Sequence, residues 1–274
     1  MRPKPGYWQG PARYSGGALL FLCLVALVGY FVTPEDPNKT DVMRRLAGPS
    51  FSQWLGRDEL GRDVLSRMLA GASVSLGVGT LAALLETLVG VVLGAWAGYK
   101  GGMLDSFIMR TADVLMCIPS LYLILTLIVI LGPGLQNVVI VIVVTGWTGM
   151  ARLVRAEVLT LKERDFVMAS RASGASSWKI LWKHILPNAM APVYVNLTFG
   201  VSGAILMESG LSFLGLGVQA PQSSWGSILS SGREYISEAW WLVVFPGLMI
   251  FIAMLLVNHI GEEARKHFDP KEAA

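Results

Sequence analysis

Six apolar stretches, each long enough to cross a lipid bilayer, constrain this chain more than any other feature of its sequence. A transmembrane helix needs about 20 predominantly apolar residues, because the hydrocarbon core offers its backbone no water. The stretches that qualify are 17–33, 74–98, 112–131, 135–151, 189–213 and 239–259. Of the 274 residues, 53% are hydrophobic and only 15% are charged, a balance typical of membrane proteins. The sequence predicts an all-α, polytopic membrane protein with six transmembrane helices.

The first apolar stretch has to be distinguished from a cleaved secretory signal. It follows a basic, proline-containing head, but its apolar core exceeds the usual ~7–15 residues and no A-x-A cleavage site follows. We therefore expect a retained helix. The expected organisation is a cytoplasmic segment 1–16, a first helix 17–33, an extracytoplasmic loop 34–73, a five-helix core 74–260 with a cytoplasmic loop 152–188, and a cytoplasmic tail 261–274.

The distribution of positive charge predicts the orientation. With a cytoplasmic N-terminus and six spans, 15 of the 22 Lys and Arg residues fall on the cytoplasmic side. Most of the others lie in the 34–73 loop, where acidic residues dilute them. Because short cytoplasmic loops carry the excess of Lys and Arg, both termini are expected in the cytoplasm.

Three glycines in the second apolar stretch predict close helix packing. Gly90, Gly94 and Gly98 recur every fourth residue in GVVLGAWAG, so they share one helix face. Small residues at this spacing let a neighbouring backbone approach closely, which matters where lipid supplies little hydrophobic drive between helices. A flexible, glycine-rich helix without a defined partner is the alternative.

Motifs typical of enzymes and metal sites are absent from the sequence. The sequence contains no G-x-x-x-x-G-K-[ST] phosphate loop, no H-E-x-x-H, no C-x-x-C and no G-x-S-x-G. The three histidines are scattered, and Cys23 and Cys117 lack metal-ligand spacing. We expect a non-catalytic protein without a metal site, a bound cofactor or a nucleic-acid partner.

Two acidic residues fall within the apolar stretches. Glu86 lies at the middle of the second stretch, where a charge is costly unless it is paired, hydrated or protonated. It either faces a water-filled translocation path or joins two helices as a protonated or hydrogen-bonded side chain. Glu208 lies near the outer end of the fifth stretch and either faces the path or reaches the membrane interface.

The loop between the fourth and fifth stretches combines small and basic residues in FVMASRASGASSWKILWKHILPN (166–188). Residues 169–176 are small apart from Arg171, so a helix built from them has little side-chain bulk and fits a groove on another protein. Gly174 permits a sharp turn. The segment from Ser176 is amphipathic, with tryptophans suited to the membrane interface, and Pro187 is expected to mark the turn into the fifth span.

This loop resembles the "EAA" loop of binding-protein-dependent ABC importer permeases. The family pattern is E-A-A, three residues, Gly, and a spacer that ends in I-L-P, matched here by Gly174 and Ile185-Leu186-Pro187. Met168 replaces the usual Glu and Ser170 the second Ala. The missing carboxylate removes any ionic or capping role at that position and leaves the small-residue surface intact.

Further stretches are similar to the dipeptide/oligopeptide/nickel branch of that family. They are LGRDELGRDVLSR (55–67), GASVSL (71–76), ESGLSFLGLGVQAP (208–221) with SWG (224–226), and HFDP (267–270). In the first of them, Arg57 stands where the family commonly has Thr. With the loop, these stretches extend the resemblance over nearly the whole chain.

The resemblance implies a permease of the type I ABC importer fold in the bacterial inner membrane. Its implied partners are a second, homologous permease, two ATPase subunits that use ATP and Mg, an extracytoplasmic substrate-binding protein and membrane lipid. In the family the loop is a coupling helix that sits in a cleft of the ATPase. Carried onto this chain, the contact residues are Ala169, Arg171, Ala172, Gly174, Ala175 and Ser176.

Three functions remain open from the sequence. Import of di- and oligopeptides is the leading hypothesis, and import of nickel or a metal chelate by the same kind of permease is the first alternative. The second is an ion-coupled secondary transporter in which Glu86 and Glu208 relay protons, although no internal repeat typical of such carriers is evident.

Overall fold

The computed structural model describes residues 33–268 together with Gly17, Phe21, Leu24 and Val25. In this part of the chain the structure is helical, without a β-strand. The helices are α1 (Val64–Lys100), α2 (Gly102–Cys117), α3 (Ser120–Leu131), α4 (Leu135–Lys162), α5 (Asp165–Ala172), α6 (Leu186–Phe213), α7 (Trp225–Gly232) and α8 (Trp241–Phe268). The predicted first helix, 17–33, lies outside the described residues apart from Gly17, Phe21, Leu24, Val25 and Thr33, of which the first four are helical.

Four helical runs are long and apolar enough to cross a membrane. They are Val64–Lys100, Leu135–Lys162, Ser177–Phe213 and Trp241–Lys266. The predicted third span, 112–131, is wrong as one continuous helix, since α2 and α3 meet at an angle of 94°. The break falls at Ile118-Pro119, because a proline disfavours the helical conformation of the residue before it; Ile118 is accordingly extended, with φ −94° and ψ 128°.

Helix α1 begins earlier than the sequence pattern indicated. It starts at Val64, so residues 64–73 of the predicted 34–73 loop are helical. The side chain of Asp63 caps the helix by accepting hydrogen bonds from the backbone N–H of Ser66 at 2.7 Å and from its hydroxyl at 2.8 Å. Such a cap satisfies an amide that would otherwise lack a partner.

The chain does not turn at Pro187, so that prediction is wrong. Helix continues from Ser177–Lys179 through a π-helical segment, Ile180–Ile185, into α6. The N–H of Leu186 bonds to the carbonyl of Leu181, five residues back. A proline ring crowds the carbonyl four residues before it in a regular helix, and the wider π turn accommodates the ring without ending the helix.

Close contact between α1 and α4 forms the centre of the bundle. A Cβ added to Gly90, Gly94 or Gly98 would collide with α4. The colliding groups are, in that order, the side chain of Met150 at 2.5 Å, the carbonyl oxygen of Ala151, and the carbonyl oxygen of Arg155 at 2.9 Å. The three glycines therefore form a groove into which the backbone of α4 fits.

Ion pairs attach α2 to α4. Asp105 accepts from Arg155 Nε at 2.5 Å and from a second guanidinium nitrogen at 2.6 Å. Asp113 pairs with Arg152 one turn nearer the middle of α4. The bidentate geometry holds α2 at a defined angle across α4.

Helices α1, α4 and α8 run in one direction through the bundle and α6 runs in the opposite direction, which gives the bundle two ends. The loop end (residues 99–103 and 161–185) joins α1 to α4, where Lys162 Nζ donates to the carbonyl of Tyr99 at 2.9 Å. The far end (residues 34–76 and 205–245) joins the loop before α1 to the start of α8, where Trp241 Nε1 donates to the carbonyl of Arg57 at 3.2 Å.

Replacing Gly94 with Ala should destabilise the protein. The added methyl overlaps the backbone of α4, and overpacking of this kind costs about 1–3 kcal/mol. Gly77→Ala is the matched control, because Gly77 lies in the same helix with no atom within 4 Å of an added Cβ. Thermal unfolding of the purified protein in detergent should show a lower midpoint for Gly94→Ala only. Equal midpoints in the two variants would contradict the groove.

Candidate functional site

The loop end presents an exposed surface of small side chains on α5 and the turn that follows it. Of the six residues predicted to contact a partner, Ala169, Arg171, Ala172, Gly174 and Ser176 are exposed, and Ala175 is half-buried. Val167, in the first turn of α5, is fully buried. The helix is thus anchored by one apolar side chain and leaves its small residues available.

The turn after α5 has the hydrogen bonds of a Schellman motif. The N–H of Gly174 bonds to the carbonyl of Arg171 at 3.0 Å, and that of Ala175 to Ser170 at 3.2 Å. This motif requires a left-handed residue after the helix, which is why glycine predominates there. Gly174 has φ +80°, and no atom lies within 4 Å of an added Cβ. The turn therefore projects freely.

Buried apolar residues connect this surface to the long helices. Ile180, Leu181 and Ile185 of the π-helical segment are at most 3% exposed and pack in one cluster with Val154 and Val158 of α4. The apolar stripe that helical spacing predicts here consists of Trp178, Leu181, Trp182, Ile185 and Leu186, and Leu181, Ile185 and Leu186 of it are buried against protein. Trp178 is 64% exposed and contacts the ring of Trp182, with centroids 5.1 Å apart.

A nearby carboxylate accompanies the replacement of the family Glu by Met168. Met168 is half exposed, at 49%. Asp165 lies in the first turn of α5 and supplies a carboxylate where the helix dipole favours negative charge. The helix thus retains an acidic first turn although the family Glu is missing.

At the far end, a buried carboxylate organises the repeated G-R-D sequence before α1. Asp58 has no exposed surface. It accepts bonds from the side chains of Arg62, at 2.7 Å, and Arg67, and from the backbone N–H of Leu60 and Arg62, both at 2.9 Å. Because each acceptor position is matched by a donor, the charge is stable in the interior.

Arg57, the residue that replaces the family Thr, is 4% exposed and engaged on both sides of its guanidinium. It donates to the carbonyl of Gly61 at 2.7 Å and to the carboxylate of Glu35 at 3.1 Å. Gly61 has φ +72°, and its Cα lies against the backbone of Asp41, so no side chain fits there. The substitution thus adds an ion pair to a compact loop.

A second buried carboxylate, Glu208, joins three parts of the far end. Its Oε1 accepts from Ser212 Oγ at 2.7 Å, and its Oε2 from Ser75 Oγ of α1 at 2.9 Å. Each hydroxyl in turn accepts from a backbone amide: Ser212 from Val218 at 3.1 Å and Ser75 from Trp225 at 3.2 Å. One carboxylate therefore fixes both limbs of the loop between α6 and α7. We call these five residues the Glu208 network.

Glycines bring the elements around the Glu208 network into backbone contact. An added Cβ would lie 3.2 Å from Ser224 if it were on Gly71 and 2.6 Å from Ser209 Cα if it were on Gly226. Packing against neighbouring backbone thus accounts for glycine at both positions.

Glu86 has different surroundings from Glu208. It is half-buried, and its carboxylate lies against Gly146 of α4, where an added Cβ would be 2.5 Å from Oε2 and 2.8 Å from Oε1. Among the described residues it has no hydrogen-bond or ion-pair partner. Of the two predicted pathway residues, only Glu208 is enclosed by protein.

Sequence reasoning did not identify Ser75, Ser212, Trp225 or Asp58. All four lie in stretches that the resemblance singled out, so their presence in a signature was the available signal. Their role was invisible because Ser75 and Glu208 are 133 positions apart, and neither periodicity nor local spacing reports such a contact.

Known proteins match this chain over most of its length. The family model described as "Binding-protein-dependent transport system inner membrane component" matches residues 90–273. A dipeptide transport system permease protein, DppC, of Bacillus subtilis is 44% identical, over 92% of this chain and 79% of that protein.

Two further relatives are similar to a comparable extent. A di/tripeptide transport system permease protein of Pseudomonas aeruginosa is 41% identical, over 98% of this chain and 92% of that protein. An oligopeptide transport system permease protein, OppC, of Bacillus subtilis is 40% identical, over 92% and 83% respectively.

A solved structure shares the fold. A chain of the inward-facing MetNI methionine ABC transporter superposes with a TM-score of 0.55 and 20% identity, over 73% of this chain and 95% of that chain. At this identity the likeness concerns the fold alone.

Loss of the Ser212 hydroxyl should loosen the far end. Ser212→Ala leaves the buried amide of Val218 without a partner and removes one bond from Glu208, a combined cost of about 1–3 kcal/mol. Ser209→Ala is the matched control, since Ser209 is also buried on α6 but its Oγ lies 3.4 Å from Glu208 and donates no other bond.

Two measurements check this expectation. Ser212→Ala should lower the thermal midpoint more than Ser209→Ala and should speed hydrogen exchange at Val218. If both variants lose the same stability, or if exchange at Val218 is unchanged, the loop is held by other contacts.

Proposed function

Because the chain belongs to the family of binding-protein-dependent transport system inner membrane components, we propose that it forms half of the membrane channel of an ATP-driven importer of di- and oligopeptides. Membership in the family agrees with the resemblance seen in the sequence. The protein is a multi-pass inner-membrane permease subunit, consistent with its apolar helical runs. The peptide substrate is supported by relatives whose names specify dipeptide, di/tripeptide and oligopeptide transport.

The exposed small-residue surface of the loop end carries the proposal. Ala169, Ala172 and Gly174 offer a bare helix and turn that a cleft on an ATPase subunit could enclose, and Arg171 adds one charge at its edge. ATP and Mg would be bound by two such subunits, since this sequence has no phosphate loop. If the loop end docks on the ATPase subunits, the loop end is the cytoplasmic end of the bundle. This orientation agrees with the distribution of Lys and Arg.

Buried contacts offer a route by which motion of the ATPases would reach the membrane. A push on α5 acts on Val167, which packs in one cluster with Ile180 of the π-helical segment and Val158 of α4. The π-helical segment continues without a break into α6. Displacement of the loop would therefore move α4 and α6 together and alternate access between the two faces.

The exposed surfaces of the single chain indicate the remaining partners. Apolar side chains of α2 and α3 such as Val114, Val129 and Ile130 are 64–74% exposed in the single chain. A second, homologous permease and lipid would cover them. A soluble binding protein would deliver peptide to the far end.

Ion-coupled transport is less well supported than ATP-driven import. A proton relay needs a carboxylate that exchanges protons with water, whereas Glu208 is enclosed and its oxygens already accept hydroxyl donors. Of these two acids, Glu86 is the one without a hydrogen-bond or ion-pair partner among the described residues, and we propose that it faces the translocation path.

Blocking the small-residue surface should uncouple the transporter. Ala172→Trp adds bulk at an exposed helical position without backbone strain, and Gly174→Ala adds about 1–2 kcal/mol of strain at positive φ with little bulk. In the reconstituted complex, Ala172→Trp should abolish stimulation of ATPase activity by loaded binding protein, and Gly174→Ala should reduce it. Gly174→Trp combines both effects and should abolish it while membrane insertion is kept.

Met103→Trp serves as the control for added bulk. Met103 is 91% exposed at the loop end but lies outside segment 166–188. Its variant should retain stimulation. Normal stimulation in Ala172→Trp and Gly174→Trp would remove the loop from the coupling mechanism.

The role of Glu86 can be separated from assembly. Glu86→Gln keeps the shape and removes the ionisable group, so uptake of peptide should change while the complex still copurifies. Gly146→Ala should have a similar effect, because its methyl displaces the carboxylate, whereas Gly149→Ala meets no atom within 4 Å and should be silent. Unchanged uptake kinetics in Glu86→Gln and Gly146→Ala would indicate a purely structural Glu86.

A further inference from the structure

We propose that a cavity at the far end is a peptide-accepting site that contacts the substrate backbone on its way into the channel. The cavity has a volume of about 210 Å³. Its lining includes Asn38, Ser73, Val74, Pro221, Gln222 and Ser223. This inference rests on the proposed function, since it names where peptide would first meet the permease.

The walls of the cavity are fixed to each other beneath it. Ser223 Oγ donates to the carbonyl of Arg67 in α1 at 3.2 Å. One residue further, the backbone of Ser224 lies 3.2 Å from a Cβ built on Gly71. The N–H of Trp225 then bonds to Ser75 in the Glu208 network. The loop wall is therefore held to the α1 wall at three successive residues.

A third wall comes from the segment before α1. The N–H of Glu35 donates to Ser66 Oγ at 3.0 Å, and Asp36 accepts from the N–H of Asn38 at 2.9 Å. These bonds form a turn that places Asn38 beside the other two walls. Asn38 and Gln222 are both exposed, so their amides are accessible to a ligand.

The described residues that line the cavity have no ionisable side chain. Asp36 and Lys39 adjoin the lining residues Pro37 and Asn38 in the chain but are not themselves part of the lining. Two further pairs of charges in this loop neutralise each other, Arg57 with Glu35 and Arg62 with Glu59 at 2.8 Å. What remains is a set of amide and hydroxyl groups beside the apolar surfaces of Val74 and Pro221. Such groups match the N–H and C=O of any peptide unit and do not select for the charge of its side chains.

The volume of the cavity and the polar groups that line it limit the class of ligand that it can bind. Pockets that enclose a drug-sized molecule have roughly 300–1,000 Å³, so this cavity accepts a segment of a peptide. A transition metal requires imidazole, thiolate or carboxylate ligands, and none is among the described lining residues. A peptide backbone fits the lining better than a metal ion does.

Opposite charges placed at Gln222 test the site. Gln222→Glu and Gln222→Lys would be assembled with the partner permease, ATPases and binding protein in proteoliposomes, and uptake of Ala-Lys-Ala, Ala-Glu-Ala and Ala-Ala-Ala measured. Gln222→Glu should raise the ratio of Ala-Lys-Ala to Ala-Glu-Ala uptake by roughly fivefold, and Gln222→Lys should lower it by a similar factor, as expected for one exposed charge near another. Gln222→Ala should lower uptake of all three peptides by a common factor.

Ser52→Glu and Ser52→Lys are the controls for surface charge. Ser52 is exposed on the same end, outside the cavity lining. Its variants should leave the uptake ratio unchanged. Parallel changes with an unaltered ratio in Gln222→Glu and Gln222→Lys would overturn the site and indicate that Gln222 contacts the binding protein instead. Wild-type complex that imports none of the three peptides would overturn the proposed function itself, an outcome distinct from normal wild-type import with insensitive variants.

Discussion

The close approach of α1 to α4 is the contact on which the rest of the structure depends. Lipid is as apolar as the side chains, so helices in a bilayer gain little from hydrophobic burial and rely on backbone proximity. Gly90, Gly94 and Gly98 allow that proximity. Both helices span the bundle, so their contact sets the position of α5 at one end and of Ser75 at the other.

The two ends are organised by different interactions, which suits different tasks. At the far end, Asp58 and Glu208 have no exposed surface and their hydrogen bonds fix the surrounding loops. Buried, satisfied polar groups of this kind specify one arrangement. At the loop end, buried apolar side chains such as Ile180 anchor a helix whose exposed side chains are mostly small. The hydrogen-bonded far end positions the walls of the cavity, and the anchored helix at the loop end presents a surface that a partner can contact.

The sequence mispredicted helix boundaries at three places, two at prolines and one at a helix cap. At each place, a local feature of one or two residues competes with the longer apolar pattern. Apolar periodicity ran through Pro119, although the conformation of Ile118 breaks the helix there. At Pro187 the opposite happened, because a π turn let the helix continue. The early start of α1 depended on the Asp63 cap, which lies within a polar segment that resembled a loop.

The sequence by itself determined the helical membrane class, the family, the glycine face of α1 and the small-residue character of segment 166–188. These properties are local, since each depends on composition or on spacing within one stretch of chain. Only the tertiary structure decided that Glu208 is enclosed while Glu86 is not, and that Asn38, Ser73 and Gln222 border one cavity. Those relations join residues far apart in the chain, and helix packing alone brings them together.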